Sequence, residues 1–209
     1  QIINNFNNGA ITIQNAITAN ITSSDMPTLT FFAGNTITIN NNITFHGSNG
    51  GNINLIARGD ISLDNNADIT TSGGYFKVKG VKNSGFWIEG EEYAGSFKLS
   101  SGSEIITYGA TGKDGGDVEI YTGAITVPTN VTSGDIKING SIYTFGGNST
   151  SGDGKNGGNI KLKVENSTAG EIIINSGADL ITTGTSTTDP TIYTGGSGGN
   201  ITIGDSDNY

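Results

Sequence analysis

Three acidic side chains, Glu89, Glu91 and Glu92, stand beside Trp87 in the segment "YFKVKGVKNSGFWIEGEEYAGSF", residues 75 to 97. Two carboxylates flanking a sugar can cleave a glycosidic bond, one protonating the leaving oxygen while the other activates water or attacks. Glu91 and Glu92 are adjacent in sequence, however, and need not converge on one bond. The other acids are scattered singly at turns. His46 is the one histidine and has no cysteine to activate, because the chain has none. A lone histidine at a corner is ordinarily just solvated. We therefore expect no catalytic residues, and a polysaccharide-active enzyme is carried as an alternative.

Binding suits the same segment better. It concentrates Tyr75, Phe86, Trp87 and Tyr93 with Lys77, Lys79 and Lys82, and adds Phe76 and Phe97. Aromatic rings stack on the apolar faces of pyranoses while charged groups bind the hydroxyls, so these residues are candidate glycan contacts. The competing reading is that alternate aromatics fill the core of a wider coil. A second candidate is the tripeptide Arg58, Gly59, Asp60, which on a protruding loop is a ligand for animal integrins. It falls between "NINLIA" and "ISLD", where the chain must turn: Gly59 supplies the bend and Asp60 can accept backbone N–H bonds. We expect a corner there rather than a cell-adhesion motif. Asp205 and Asp207, in "GGSGGNITIGDSDNY", follow a strand and do not recur at the step of a calcium-binding repeat. No metal or cofactor site is expected.

Composition narrows the classes further. A net charge of −9, with Arg58 the single arginine, argues against nucleic acid as a partner. Without cysteines there are no disulfides or thiolate metal sites. No stretch approaches the ~18 apolar residues of a membrane span. Gly accounts for 34 residues and Pro for 3, charged residues make up 14%, and helix formers are scarce beside Ile, Val and Thr. That is a strand-and-turn composition.

The elements that must position these residues are short alternating pieces: "NTITIN", "NINLIA", "DISLD", "FKVKG", "SFKLS", "DVEIY", "DIKIN", "NIKLKV", "NITIG" and others like them. Double glycines punctuate them. Gly51, Gly74, Gly116, Gly158 and Gly199 each precede an apolar strand, at separations of 23, 42, 42 and 41 residues. These steps suggest one or two solenoid turns of about 21 residues, with "GSFKLS" at Gly95 midway in the first long interval. The segments before each double glycine end in Thr or Phe and then vary in length, which places variable loops at 108 to 116, 145 to 158 and 184 to 198 along one solvent-facing edge. A single domain over residues 1–209 is expected: a parallel β-solenoid with coils of about 21–24 residues, about eight or nine of them, roughly 40 Å long at one strand spacing per coil. An antiparallel sandwich, the rival for short strands with frequent turns, does not predict the glycine repeat.

Residues 29 to 74, "LTFFAGNTITINNNITFHGSNGGNINLIARGDISLDNNADITTSGG", resemble the repeats of filamentous haemagglutinin-like exoproteins of bacterial two-partner secretion. "GGNIKLKV" and "GADLITTG" repeat the pattern near the C-terminus, and the likeness is weakest between residues 75 and 100. The resemblance implies a right-handed parallel β-helix, secreted or held at the surface of a bacterium, and a non-enzymatic adhesin or structural rod. The conserved secretion cap of that family is not evident, which suggests a segment of a longer shaft or a stand-alone protein built from the same repeat. Partners expected on this basis are surface glycans or proteins, or neighbouring copies joined through the solenoid ends into a fibre.

Overall fold

The computed structural model describes residues 2–3, 9–22, 24–64, 66–79, 95–123, 134–149, 152–164, 170–187 and 191–204. Among these there are nineteen strands and no helix. They fall into successive turns of three strands each. The turns are β1 (Ile2–Ile3), β2 (Ile11–Ile13), β3 (Ile17–Ile21); β4 (Thr28–Ala33), β5 (Ile37–Ile39), β6 (Ile43–Gly47); and β7 (Asn52–Ala57), β8 (Ile61–Leu63), β9 (Ile69–Thr70). There follow β10 (Phe76–Lys79), β11 (Phe97–Leu99), β12 (Glu104–Ile106); β13 (Val118–Thr122), β14 (Ile136–Ile138), β15 (Ser141–Phe145); and β16 (Ile160–Val164), β17 (Ile172–Ile174), β18 (Leu180–Thr183). β19 (Ile201–Gly204) begins a further turn. Every third strand pairs in parallel, giving a first sheet of seven strands from β1 to β19 and second and third sheets of six strands each. The solenoid expected from the repeat is therefore present.

The length of a turn differs from expectation. In the first sheet Phe31 stacks on Leu55, Leu55 on Val78, Val78 on Ile120, Ile120 on Leu162 and Leu162 on Ile203. The intervals of about 42 residues are thus single turns rather than two, and the described rod has six turns and one strand, roughly 30 Å at one strand spacing per turn. "SFKLS" does not start a turn: Phe97 stacks on Ile61 and Leu99 on Leu63 in the second sheet. The three variable loops expected along one edge do share one corner, and further insertions fall at a second. Residues 80–94 and 124–133 separate first-sheet from second-sheet strands, and 107–117, 146–159 and 184–200 separate third-sheet from first-sheet strands. Stacking constrains only residues in register, so a corner absorbs insertions without adding a rung.

Alternation along each strand sends one set of side chains inward. Phe31, Ile37, Ile39, Ile53, Leu55, Ile61, Leu63 and Leu99 are fully buried, in columns running along the axis. Each such side chain contributes about 1.5–3 kcal/mol by leaving water. Phe76 and Phe97 are also fully buried and meet edge to face at 6.4 Å between ring centres. Two aromatics of the candidate glycan-contact segment are therefore core, as the competing reading held. Ile160 and Leu162, with a strand on either side, are fully covered, whereas Ile201 and Ile203, on the last described strand, are 44% and 47% exposed.

Candidate functional site

The acidic and amide side chains at the corners act along the axis. Asp60 Oδ1 accepts the backbone N–H of Ser96 at 2.8 Å, and Asp135 Oδ1 that of Glu171 at 3.0 Å. Asp117 and Asn159 serve the N–H groups of Asn159 and Asn200, and Asp114 and Asn156 serve those of Asn156 and Ser197. These are charge-assisted or amide ladders that tie each turn to the next. Asp153 accepts both the N–H and the hydroxyl of Thr194, and these bonds hold its carboxyl below the usual carboxylate range. Lys137 is paired with Asp135 at 2.9 Å, and this bond raises the lysine above its ordinary value.

This settles where Arg58, Gly59 and Asp60 lie. Gly59 donates to Asn35 and accepts from Gly95, so the tripeptide is sewn into the corner between the first and second sheets on both sides. Gly59, Gly95 and Gly134 take the same place in successive turns, each two residues before the paired positions Ile61, Phe97 and Ile136. Arg58 is exposed, and nothing in the structure explains why this corner carries it.

Of the glycan-contact candidates, Phe86, Trp87, Tyr93 and Lys82 lie outside the described residues. Tyr75, Lys77 and Lys79 point outward on the first sheet, because the residues between them, Phe76 and Val78, are buried. Register brings them neighbours that sequence reasoning missed. Lys77 pairs with Glu119 on β13, which in turn pairs with Lys161 on β16, and Tyr121 pairs with Lys163. Lys77 Nζ sits 3.1 Å from Glu119 Oε2 and 4.7 Å from the centre of the Tyr75 ring. Lys161 and Lys163 approach the Tyr121 ring centre at 5.6 and 6.0 Å, cation–π contacts at the outer limit of that interaction. One flat face thus collects four of the chain's ten basic residues and two tyrosines, against a net charge of −9. The signal was readable in "YFKVKG", "VEIYT" and "IKLKV", which share one alternation phase.

The corner between the third and first sheets has a different construction. Thr71, Thr107 and Thr144 occupy inward positions and are fully buried. Thr107 donates its hydroxyl to the carbonyl of Gly116 at 2.5 Å, Thr144 to Gly158 at 2.6 Å and Thr182 to Gly199 at 2.7 Å, and Thr71 bonds Gly74 likewise. Gly116 N–H returns a bond to Thr107 O at 2.7 Å, and Gly158 N–H one to Thr144 O at 3.1 Å. In the turn of β6 the ring of Phe45 takes the place of the threonine and packs on Gly51. The double-glycine repeat is the other half of this clamp. A methyl group on Gly74, Gly116, Gly158 or Gly199 would overlap the carbonyl of the preceding glycine in the column, so only glycine fits.

The insertions above the clamps are hydrogen-bonded to one another. Gly109 N–H donates to Phe145 O, Gly112 to Asn148, Gly147 to Lys113 and Gly146 to Thr183, all at 2.8–2.9 Å. Between these laminated loops and the strand ends lies an open cleft of about 580 Å³, lined by His46, Tyr108, Phe145, Asn148, Thr183 and Thr185 among others. His46, which the sequence presented as an isolated corner residue, thus lines the same cleft as Tyr108 and Phe145. No group of three metal-ligating side chains occurs among the described residues.

No protein-family model, no curated protein sequence and no solved structure matches this chain.

Proposed function

We propose that this chain forms the shaft of a non-enzymatic, secreted or surface-exposed bacterial β-helical protein of the filamentous haemagglutinin type, which adheres to anionic surface glycans through the outer face of its first sheet. A right-handed wind is part of the proposal and is supported by the strong preference of parallel crossover connections for that hand. The observation that carries the reading is the alignment of Tyr75, Lys77, Lys79, Tyr121, Lys161 and Lys163 on one face of an acidic rod. Strands at about 4.8 Å set these groups on a regular flat grid, so many weak contacts to a repeating polymer can add. The ladder roles of Asp60, Asp114, Asp117 and Asp135 support a non-enzymatic reading, since those carboxylates are engaged in joining turns.

A glycan array carrying neutral, uronate-rich and sulfated chains tests this. The parent should bind the anionic classes, more weakly as salt is raised. The triple variant Lys77→Gln, Lys161→Gln, Lys163→Gln should lose about tenfold or more in affinity, with its circular dichroism unchanged. Equal binding by parent and variant would sink the assignment of this face.

A further inference from the structure

The cleft at the corner between the third and first sheets is a second surface, distinct from the lysine face in place and chemistry. His46, Ser72, Tyr108, Phe145 and Thr183 are equivalent positions of five successive turns: each stands two residues after the register Thr44–Thr70–Ile106–Tyr143–Ile181. The cleft therefore runs parallel to the rod axis for four strand spacings, roughly 19 Å. Gly47, Gly109, Gly146 and Gly147 contribute its floor, which is flat because they carry no side chains. Tyr108 is 40% exposed, and Phe145 is held by a tilted contact with Tyr143 at 5.4 Å. Thr111, Asn148 and Thr183 add hydroxyl and amide groups beside the rings.

Three properties identify an occupant. The cleft is preformed, since its walls are loops bonded to each other across turns, so little ordering is required on binding. It presents aromatic faces beside neutral hydrogen-bonding groups, the pairing that suits the alternating apolar faces and hydroxyl edges of pyranoses. Its lining holds no lysine, arginine or carboxylate. In a chain of net charge −9 with four of its ten basic residues on another face, this strip without charged lining groups fits an uncharged ligand. The absence of carboxylates from the lining also leaves bound sugar without the acid pair that glycoside hydrolysis uses.

We propose that the cleft binds a linear neutral glycan lying along the rod axis, with Tyr108 and Phe145 as stacking platforms and His46, Asn148 and Thr183 holding hydroxyls. Isothermal titration of the whole chain with neutral tetrasaccharides (β-1,4-linked glucan, xylan and chitin fragments and α-1,4-linked glucan) tests it. At least one should bind, with an affinity unchanged between ~0.05 and ~0.5 M salt because no charge is involved. Tyr108→Ala should weaken that binding about tenfold or more. Because Tyr108 is exposed, its melting temperature should match the parent's; Phe145→Leu and His46→Ala provide independent variants. Failure of all four tetrasaccharides to bind, binding that salt abolishes, or full affinity in Tyr108→Ala would each overturn the proposal.

Discussion

Between the second and third sheets the chain turns in two to five residues in every turn of the rod, whereas between the third and first sheets it takes from four to seventeen. The tight corner is joined by side chains that reach along the axis. Asn42 accepts from Asp68, Asp68 from Glu104, and Asp64 gathers the hydroxyls of Ser62 and Ser100 and the ammonium of Lys98. The loaded corner has axial bonds of its own at Asp114, Asp117 and Asp153, but it is closed at its base by uncharged groups, a threonine hydroxyl on a glycine carbonyl, whether the partners are 3, 9, 14 or 17 residues apart in the chain. A closure that ignores loop length lets the corner accept insertions, and the stacked insertions then build a cleft that no single turn contains.

The clearest way to break this contrast is to crowd the glycine column. Gly116→Ala places a methyl group on the Gly74 carbonyl, where backbone on both sides prevents relief, and should cost about 3 kcal/mol or more. Gly112→Ala, at a loop tip with open space around it and φ of +78°, should cost only about 1 kcal/mol, from backbone strain. Denaturant midpoints of the two variants compare them directly, and equal losses would show that the column does not close the corner.

Thr107→Val tests the other half of the clamp. Valine keeps the shape but leaves the Gly116 carbonyl without the hydroxyl, a loss of about 1–3 kcal/mol for a buried acceptor. Because neither partner titrates, the loss in thermal stability should be the same at neutral and acid pH. A pH-dependent difference would mean that the corner relies on its charged loop residues instead.

Much of this was present in the residues, and what was hidden has identifiable causes. Alternation in "NINLIA" and "ISLD" located strands and inward faces, since period-two burial needs no tertiary information. The turn length was misjudged because residue spacing counts inserted residues that stacking does not, and "GSFKLS" resembles a first-sheet strand when read alone. Its true equivalence was nevertheless visible: Gly95-Ser96-Phe97 matches Gly59-Asp60-Ile61 and Gly134-Asp135-Ile136. The clamp also left a mark, because alternation puts Thr71, Thr107 and Thr144 inward, where a hydroxyl requires a partner. The cleft left none. Tyr108 and Phe145 become neighbours only through the register of β12 against β15, which insertions between them conceal.

The smallest effect belongs to the tight corner, where two aspartates four residues apart should respond oppositely to pH. Burial pushes Asp64 up, but its bonds from Ser100, Lys98 and Ser62 and the charge of Lys98 outweigh this and hold its carboxyl below the ordinary value. Its contribution is therefore fully present above the ordinary carboxylate range and lost as pH falls through the depressed folded value. Asp68 is raised, because burial outweighs the N–H bond from Glu104, so protonation in acid favours the folded chain. Asp64→Asn should cost about 1 kcal/mol near pH 7, a figure reduced for its partly solvated site, and the cost should vanish below the folded value. Asp68→Asn keeps an acceptor for Glu104 and removes a half-buried charge, so it should be neutral or slightly stabilising at pH 7. Melting temperatures from about pH 7 down to about pH 3 separate the two. Parallel curves for both variants would remove the electrostatic part of the contrast, leaving the corners to differ in length and in the threonine–glycine closure.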